Sequence, residues 1–253
     1  MRLEVDAAAL SDVGRTRRSN EDFFGVDPEH RLYLVADGMG GHGNGEIASR
    51  LVVDSVRSFF EGGAGGGRRR WPAAGEDRPA LMREAIERAN ESVLGAVDHD
   101  RSLGGMGTTL VALRLGDDGT GILAHVGDSR AYRLRENRLR RLTSDHTWVN
   151  EQLTAGNLSE AQARDHPFKS VVTRALGGDE RVDVERTAQD LAPGDRYQRI
   201  AAGVSTKGPH ELICRRLSAG RPLRETCRQL VDDANDRGGR DNITVVLVAV
   251  EDA

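Results

Sequence analysis

Apolar and polar positions alternate along this chain with two different periods. Near the start, residues 4–10, 23–26 and 32–36 alternate or run apolar in the manner of strands. From residue 45 to 60, Ile47, Leu51, Val52, Ser55, Val56 and Phe59 recur at helical spacing and predict one amphipathic helix. Residues 61–79 hold GGAGGG, RRR and two prolines, which predicts a flexible surface insertion, because similar patterns resume after it. A helix is expected over 79–97. Strands are expected over 108–115, 121–126 and 131–135, with a hairpin turn at Gly119. The stretch 147–176 is short, helical and polar, as suits a mobile flap. Strands at 182–189 and 197–200 precede helices at 209–217 and 222–236. The final run, 243–250, is apolar without interruption and predicts a strand buried on both faces. Strands interleaved with helices, with no internal repeat, point to one domain over 1–253 with sheets packed against helices.

Composition narrows the function. A chain of 253 residues is long enough for a sizeable core. A formal net charge of −4 argues against nucleic acid as a partner, since that binding needs a basic surface. No apolar run approaches a membrane span and the first residues lack a signal-peptide pattern, so a cytoplasmic location is expected. Cys214 and Cys227 show no CxxC spacing and are expected to be thiols on the C-terminal helices.

Acidic residues recur beside glycine or asparagine at the predicted strand ends: Asn20-Glu21-Asp22, Asp37-Gly38, Gly127-Asp128 and Asp241-Asn242. A carboxylate at a strand end is held by the sheet while pointing into a cleft, and hard divalent cations take such oxygens. Any one of these pairs alone is turn chemistry more often than a ligand. The glycine-rich GMGGHGNGE after a strand suggests phosphate binding, but it lacks the GxxxxGK[ST] of a nucleotide loop.

The set in its order resembles the protein phosphatase 2C (PP2C, PPM-type) family of metal-dependent Ser/Thr protein phosphatases, in its bacterial form. The matching segments are GRTRRSNED (14–22), LVADGMGGHGNGEIAS (34–49), GGMGTTLVAL (104–113), AHVGDSRAYRLREN (124–137), LTSDHTWVNEQLTAG (142–156), HPFKSVVTRALG (166–177), LAPGDRY (191–197) and GRDNITVVLV (239–248). The resemblance implies an α+β fold of two antiparallel sheets packed face to face, flanked by helices on both sides. It also implies two Mn²⁺ or Mg²⁺ ions between the sheets. Asp37 falls at the bridging aspartate, the Gly38 carbonyl at a ligand position, and Asp241 at the C-terminal ligand. Glu21 and Asp22 match acids that hold metal-bound waters, Asp128 a weaker third site, and Arg17 the arginine that grips the substrate phosphate. Paired cations lower the pKa of a shared water and neutralise phosphoryl oxygens, while a guanidinium fork adds paired hydrogen bonds. Met39 stands where eukaryotic relatives often carry a histidine acid, which leaves leaving-group protonation to water or another group; His42, nearby in a glycine loop, is expected to be structural. The implied partners are a phosphorylated protein substrate and a Ser/Thr kinase, with the flap governing substrate choice and the chain a monomer.

One segment departs from the family. LAPGDRY should run into an apolar strand and a Ser/Thr-Asp-Gly motif whose aspartate binds metal. Here it continues YQRIAAGVSTKGPHEL, which puts Ala201 and Ala202 at that Ser/Thr-Asp pair and Gln198-Arg199 in the strand. Asp195, seven residues before Ala202, would lie about 23 Å away along a strand and cannot stand in. Three readings stay open: a phosphatase with a weakened metal site, active mainly with excess Mn²⁺; a catalytically impaired pseudophosphatase that binds a phosphoprotein or kinase; or a normal enzyme with an altered segment.

Overall fold

The structure, a computed structural model, describes residues 3–62, 71–73, 77–200 and 209–253. In chain order the elements are β1 (Leu3–Asp12), β2 (Asp22–Asp27), β3 (Leu32–Met39), α1 (Asn44–Glu61), α2 (Arg78–His99), β4 (Gly107–Thr108), β5 (Leu110–Leu115), β6 (Thr120–Val126), β7 (Arg130–Arg135) and β8 (Arg138–Arg141). Then follow α3 (Trp148–Thr154), α4 (Glu160–Arg164), β9 (Glu185–Asp190), β10 (Arg196–Ile200), α5 (Pro209–Ser218), α6 (Leu223–Asp236) and β11 (Ile243–Asp252). One sheet runs β1-β11-β10-β7-β8 and the other β2-β3-β5-β6-β9, with β4 added beside β3. The pairings are antiparallel throughout.

Side-chain alternation sorts the apolar residues into three layers. On β3, Leu32, Leu34 and Ala36 pack under α1 and α2, while Tyr33 and Val35 enter the layer between the sheets. On β11, Val246, Val248 and Val250 enter that same middle layer, while Ile243, Val245, Leu247 and Ala249 pack under α5 and α6. The 243–250 run is therefore buried on both faces, as its uninterrupted apolar character predicts, and the layers stack helix, sheet, sheet, helix. β1 lies beside β11, so the two ends of the chain share a sheet.

Several local expectations change. The buried stripe of α1 is Gly45, Ala48, Ser49, Val52, Val53, Val56, Phe59 and Phe60, whereas Ile47 is 40% exposed. Gly45 presses against the end of β3, and two residues onward the helix has turned roughly 200°, so Ile47 faces out. β8 is an arginine-rich strand without apolar alternation; it is set by the Glu136-Asn137 turn, whose φ values are 50° and 57°. Within 61–79, residues 63–70 and 74–76 lie outside the described residues. The described Trp71 packs against the core under α1 and α2, its ring 6.2 Å from that of Phe60 and 4.6 Å from the Arg114 guanidinium, and Arg78 Nε donates to the Pro72 carbonyl at 2.7 Å. The polar stretch 147–176 forms α3 and α4, capped by Thr147 and Ser159, and ends on the fully buried Leu176. Both cysteines are free thiols. Among the described residues no helix is long and apolar enough to cross a membrane.

Candidate metal centre

The middle layer turns polar at one end. Ser11 on β1, Asp22 on β2, Asp37 on β3 and Thr244 on β11 continue the residue parity that places their apolar strand-mates between the sheets. Asp22 and Asp37 are direct cross-strand partners. Ser11 Oγ and Thr244 Oγ1 lie 2.7 Å apart, and Asn20 Nδ2 donates to Ser11 Oγ at 2.7 Å. Asp22 is buried, and among the described residues neither carboxylate oxygen has a hydrogen-bond partner. Burial, reinforced by the charge of Asp241, pushes its pKa up to about 7, while the nearby Thr244, Asp37 and Arg17 oppose the shift.

Other acids converge on this pair. Glu21 is raised by burial and by the charges of Asp241 and Glu46, against the pull of Arg17. Asp128, on the turn between β6 and β7, is raised by burial, then by Asp145, with Asp241 contributing in the same sense and Arg130 opposing. Arg17 Nη2 sits 2.9 Å from Asp241 Oδ1, both side chains about half exposed. Thus the segments at 17–22, 37, 128 and 241, far apart in the chain, come close enough for Asp241 to bear on Glu21, Asp22 and Asp128, and for Asp37 to bear on Asp22.

Backbone contacts hold these side chains in place. Asn242, beside Asp241, accepts from the Glu21 N–H at 2.8 Å and donates to the carbonyls of Val13 and Ser19 at 3.0 and 2.9 Å. The Glu21 carbonyl accepts from Ser49 Oγ at 2.7 Å and from the Gly38 N–H at 3.1 Å. A Cβ at Gly38 would fall 2.1 Å from the Gly45 carbonyl oxygen, so only glycine lets the start of α1 cross the end of β3. The Asp37 carbonyl accepts from Thr109 N–H and Thr108 Oγ1, both at 2.9 Å, and Thr109 Oγ1 is 2.8 Å from Ser129 Oγ. The anchoring roles of Asn242, Thr108, Thr109 and Ser129 are not legible in the residue pattern. Their adjacency to Asp241, to the GGMGTTLVAL segment and to Asp128 was the available signal.

The donor set suits a hard divalent cation. Three of its carboxylates are raised by burial and mutual repulsion, and one is buried with both oxygens unbonded; a cation relieves both costs. Ala201 and Ala202 lie outside the described residues. Asp195 is engaged elsewhere: it is buried, with Arg135 Nε and Nη2 each 2.6 Å from its oxygens and the Ala192 N–H at 3.0 Å. Gln198 is fully buried opposite Leu247 and Tyr132, and among the described residues neither its amide nitrogen nor its oxygen finds a hydrogen-bond partner.

Comparison with known proteins agrees with this architecture. A family model described as protein phosphatase 2C matches residues 15–176. The serine/threonine protein phosphatase PstP of Mycobacterium tuberculosis is 36% identical over 250 residues, covering 99% of this chain and 46% of PstP, so the chain spans about half the length of that relative. The serine/threonine phosphatase stp of Listeria monocytogenes is 34% identical over 247 residues, covering 96% of this chain and 95% of the relative. The crystal structure of the M. tuberculosis PstP/Ppp phosphatase matches with a TM-score of 0.88 and 34% identity, over 98% of this chain and 99% of that one. The PstP catalytic domain in complex with two manganese ions matches with a TM-score of 0.85 and 33% identity, over 99% of this chain and 100% of that one. Agreement of this extent, in sequence and in three dimensions, has one explanation: the chain belongs to the protein phosphatase 2C family.

Proposed function

We propose that this protein is a metal-dependent serine/threonine protein phosphatase that hydrolyses phosphoserine and phosphothreonine esters. The observation that carries the reading is the facing Asp22–Asp37 pair, with Asp241 and Arg17 close enough to shift the ionisation of Asp22. Asp37, Asp241 and the Gly38 carbonyl are the groups that would hold Mn²⁺ or Mg²⁺, with Glu21 and Asp22 orienting water around them and Asp128 serving a weaker third position. Bound divalent ions would supply charge neutralisation and an acidified water.

Arg17 is the residue that would receive the phosphate. Its guanidinium is half exposed and, among the described residues, pairs with the Asp241 carboxylate, so it can exchange Asp241 for phosphoryl oxygens through paired charge-assisted hydrogen bonds. Met39 follows Asp37-Gly38 and has no ionisable proton, so the leaving serine or threonine oxygen takes its proton from water or another group. The natural substrate is a phosphorylated protein, supplied by a Ser/Thr kinase, and the 147–176 flap contributes to its choice. With Ala202 at the position of a family aspartate, one ion is held weakly and activity requires excess Mn²⁺. That same alanine favours, as the second reading, a pseudophosphatase that binds a phosphoprotein or kinase without turnover.

Hydrolysis of an aryl phosphate and of a phosphothreonine peptide, with Mn²⁺ titrated in, separates the two. Metal-dependent turnover abolished by Asp37→Ala is expected. Equal background rates in wild type and a folded Asp37→Ala variant would leave only the binding reading.

A further inference from the structure

His125, His146 and Glu185 bring ligand-type atoms within 4.8 Å of one another, beside the turn that carries Asp128. The two imidazole rings stack with centroids 4.6 Å apart and planes 17° from parallel. A transition-metal site is the first suggestion, and the hydrogen bonds argue against it. The Gly127 amide is 3.1 Å from His146 Nδ1. An amide N–H only donates, so Nδ1 bears the lone pair and the ring proton sits on Nε2, 3.3 Å from Glu185 Oε2. Metal on Nε2 would drive the proton to Nδ1 and set two N–H groups face to face, whereas a ligating histidine turns its second nitrogen towards an acceptor. His125 Nε2 is likewise occupied, donating to the Ser144 carbonyl at 2.8 Å.

His146 instead grips two segments at once. Its own amide donates to the Gly127 carbonyl at 3.0 Å while its ring accepts the Gly127 N–H, so the residue before Asp128 is held on both sides. Gly127 has φ +102°, and a Cβ there would meet Thr109 Cγ2 at 2.6 Å, so this turn has little freedom to rearrange. On its other side, the His146 carbonyl accepts from the Thr173 N–H at 2.9 Å. Thr147 bridges Val172 and the Trp148 N–H donates to the Val171 carbonyl at 2.9 Å. Those bonds form the seam that closes the excursion containing α3 and α4.

We propose that His146 is a positioning residue that couples the placement of Asp128 to the closure of the flap, through the Gly127 N–H···Nδ1 bond and the 146–173 seam. The coupling stands on the hydrogen bonds alone; its effect on catalysis rests on the phosphatase reading above.

Amide exchange in the metal-free protein tests the coupling without activity. In His146→Leu the Gly127, Trp148 and Thr173 amides should all exchange about tenfold faster, the consequence of one lost buried hydrogen bond. His146→Asn places an acceptor oxygen near the Nδ1 position and should exchange like wild type at all three, and this must hold even if the leucine variant fails to fold. The half-activating Mn²⁺ concentration should rise about tenfold in the leucine variant and not in the asparagine one. Faster exchange at Gly127 alone or at the seam alone, or asparagine behaving like leucine, overturns the coupling. So does stoichiometric Zn²⁺ uptake by wild type that both variants lose. A wild type without phosphatase activity would sink the catalytic reading and leave the exchange comparison decisive for the coupling.

Discussion

Asp22 and Asp37 face each other across the β2–β3 ladder at the polar end of the layer between the sheets, and the oxygens of the first are buried without a hydrogen bond. In the metal-free protein this arrangement opposes folding whenever Asp22 is ionised. Its folded pKa, about 7, lies above the ordinary aspartate value, so the unfolded chain gives up the proton first. The stability that Asp22 contributes is then present at low pH and is lost as pH rises from the aspartate range through about 7. Glu21 and Asp128 are shifted in the same direction. The urea midpoint of the metal-free wild type should fall across this window relative to Asp22→Asn, and Mn²⁺ should reduce the difference. A pH-independent difference between the two proteins would refute the assignment.

On the proposed reading, Arg17 acts through the fork of its guanidinium. Arg17→Ala should lower kcat/KM for a phosphopeptide by about a hundredfold, the usual scale for losing one electrostatic clamp on a transition state. Arg17→Lys should recover only part of the loss, because an ammonium cannot make the paired contact. Steady-state kinetics at saturating Mn²⁺ provide the check, and a variant within twofold of wild type would place the phosphate elsewhere.

Gln198 is a polar side chain in an apolar position. Its neighbours across the ladder are Leu247 and Tyr132, and both its polar atoms are buried without partners among the described residues. Gln198→Leu should stabilise the fold by about 1–3 kcal/mol, the cost of an unsatisfied buried group. Urea denaturation should show a higher midpoint with an unchanged slope, and activity should stay at the wild-type level.

Ala202→Asp should restore the carboxylate that the family pattern places there. Calorimetric Mn²⁺ affinity should rise together with turnover. Unchanged metal binding would mean that position 202, seven residues after Asp195, is not where the family aspartate falls.

The periodicity of the chain by itself determined most elements, and the ordered motifs determined the acids. Long apolar or amphipathic segments such as 243–250 carry their own signal, because burial of a whole face requires a regular spacing. Arg17, Glu21, Asp22, Asp37, Asp128 and Asp241 were legible as a set only through the resemblance of their ordered motifs to the phosphatase family. Only the tertiary structure decided which of these meet and what holds them: the Asp22–Asp37 register, the Arg17–Asp241 pair, the Asn242 clamp on the Glu21 loop, and the His146 link between the Asp128 turn and the flap. It also turned Ile47 outward and made a strand of Arg138–Arg141. The reason is common to all of them. A hydrogen bond or charge contact between residues far apart in the chain depends on register and crossing geometry, and neither leaves a periodic trace in the order of residues.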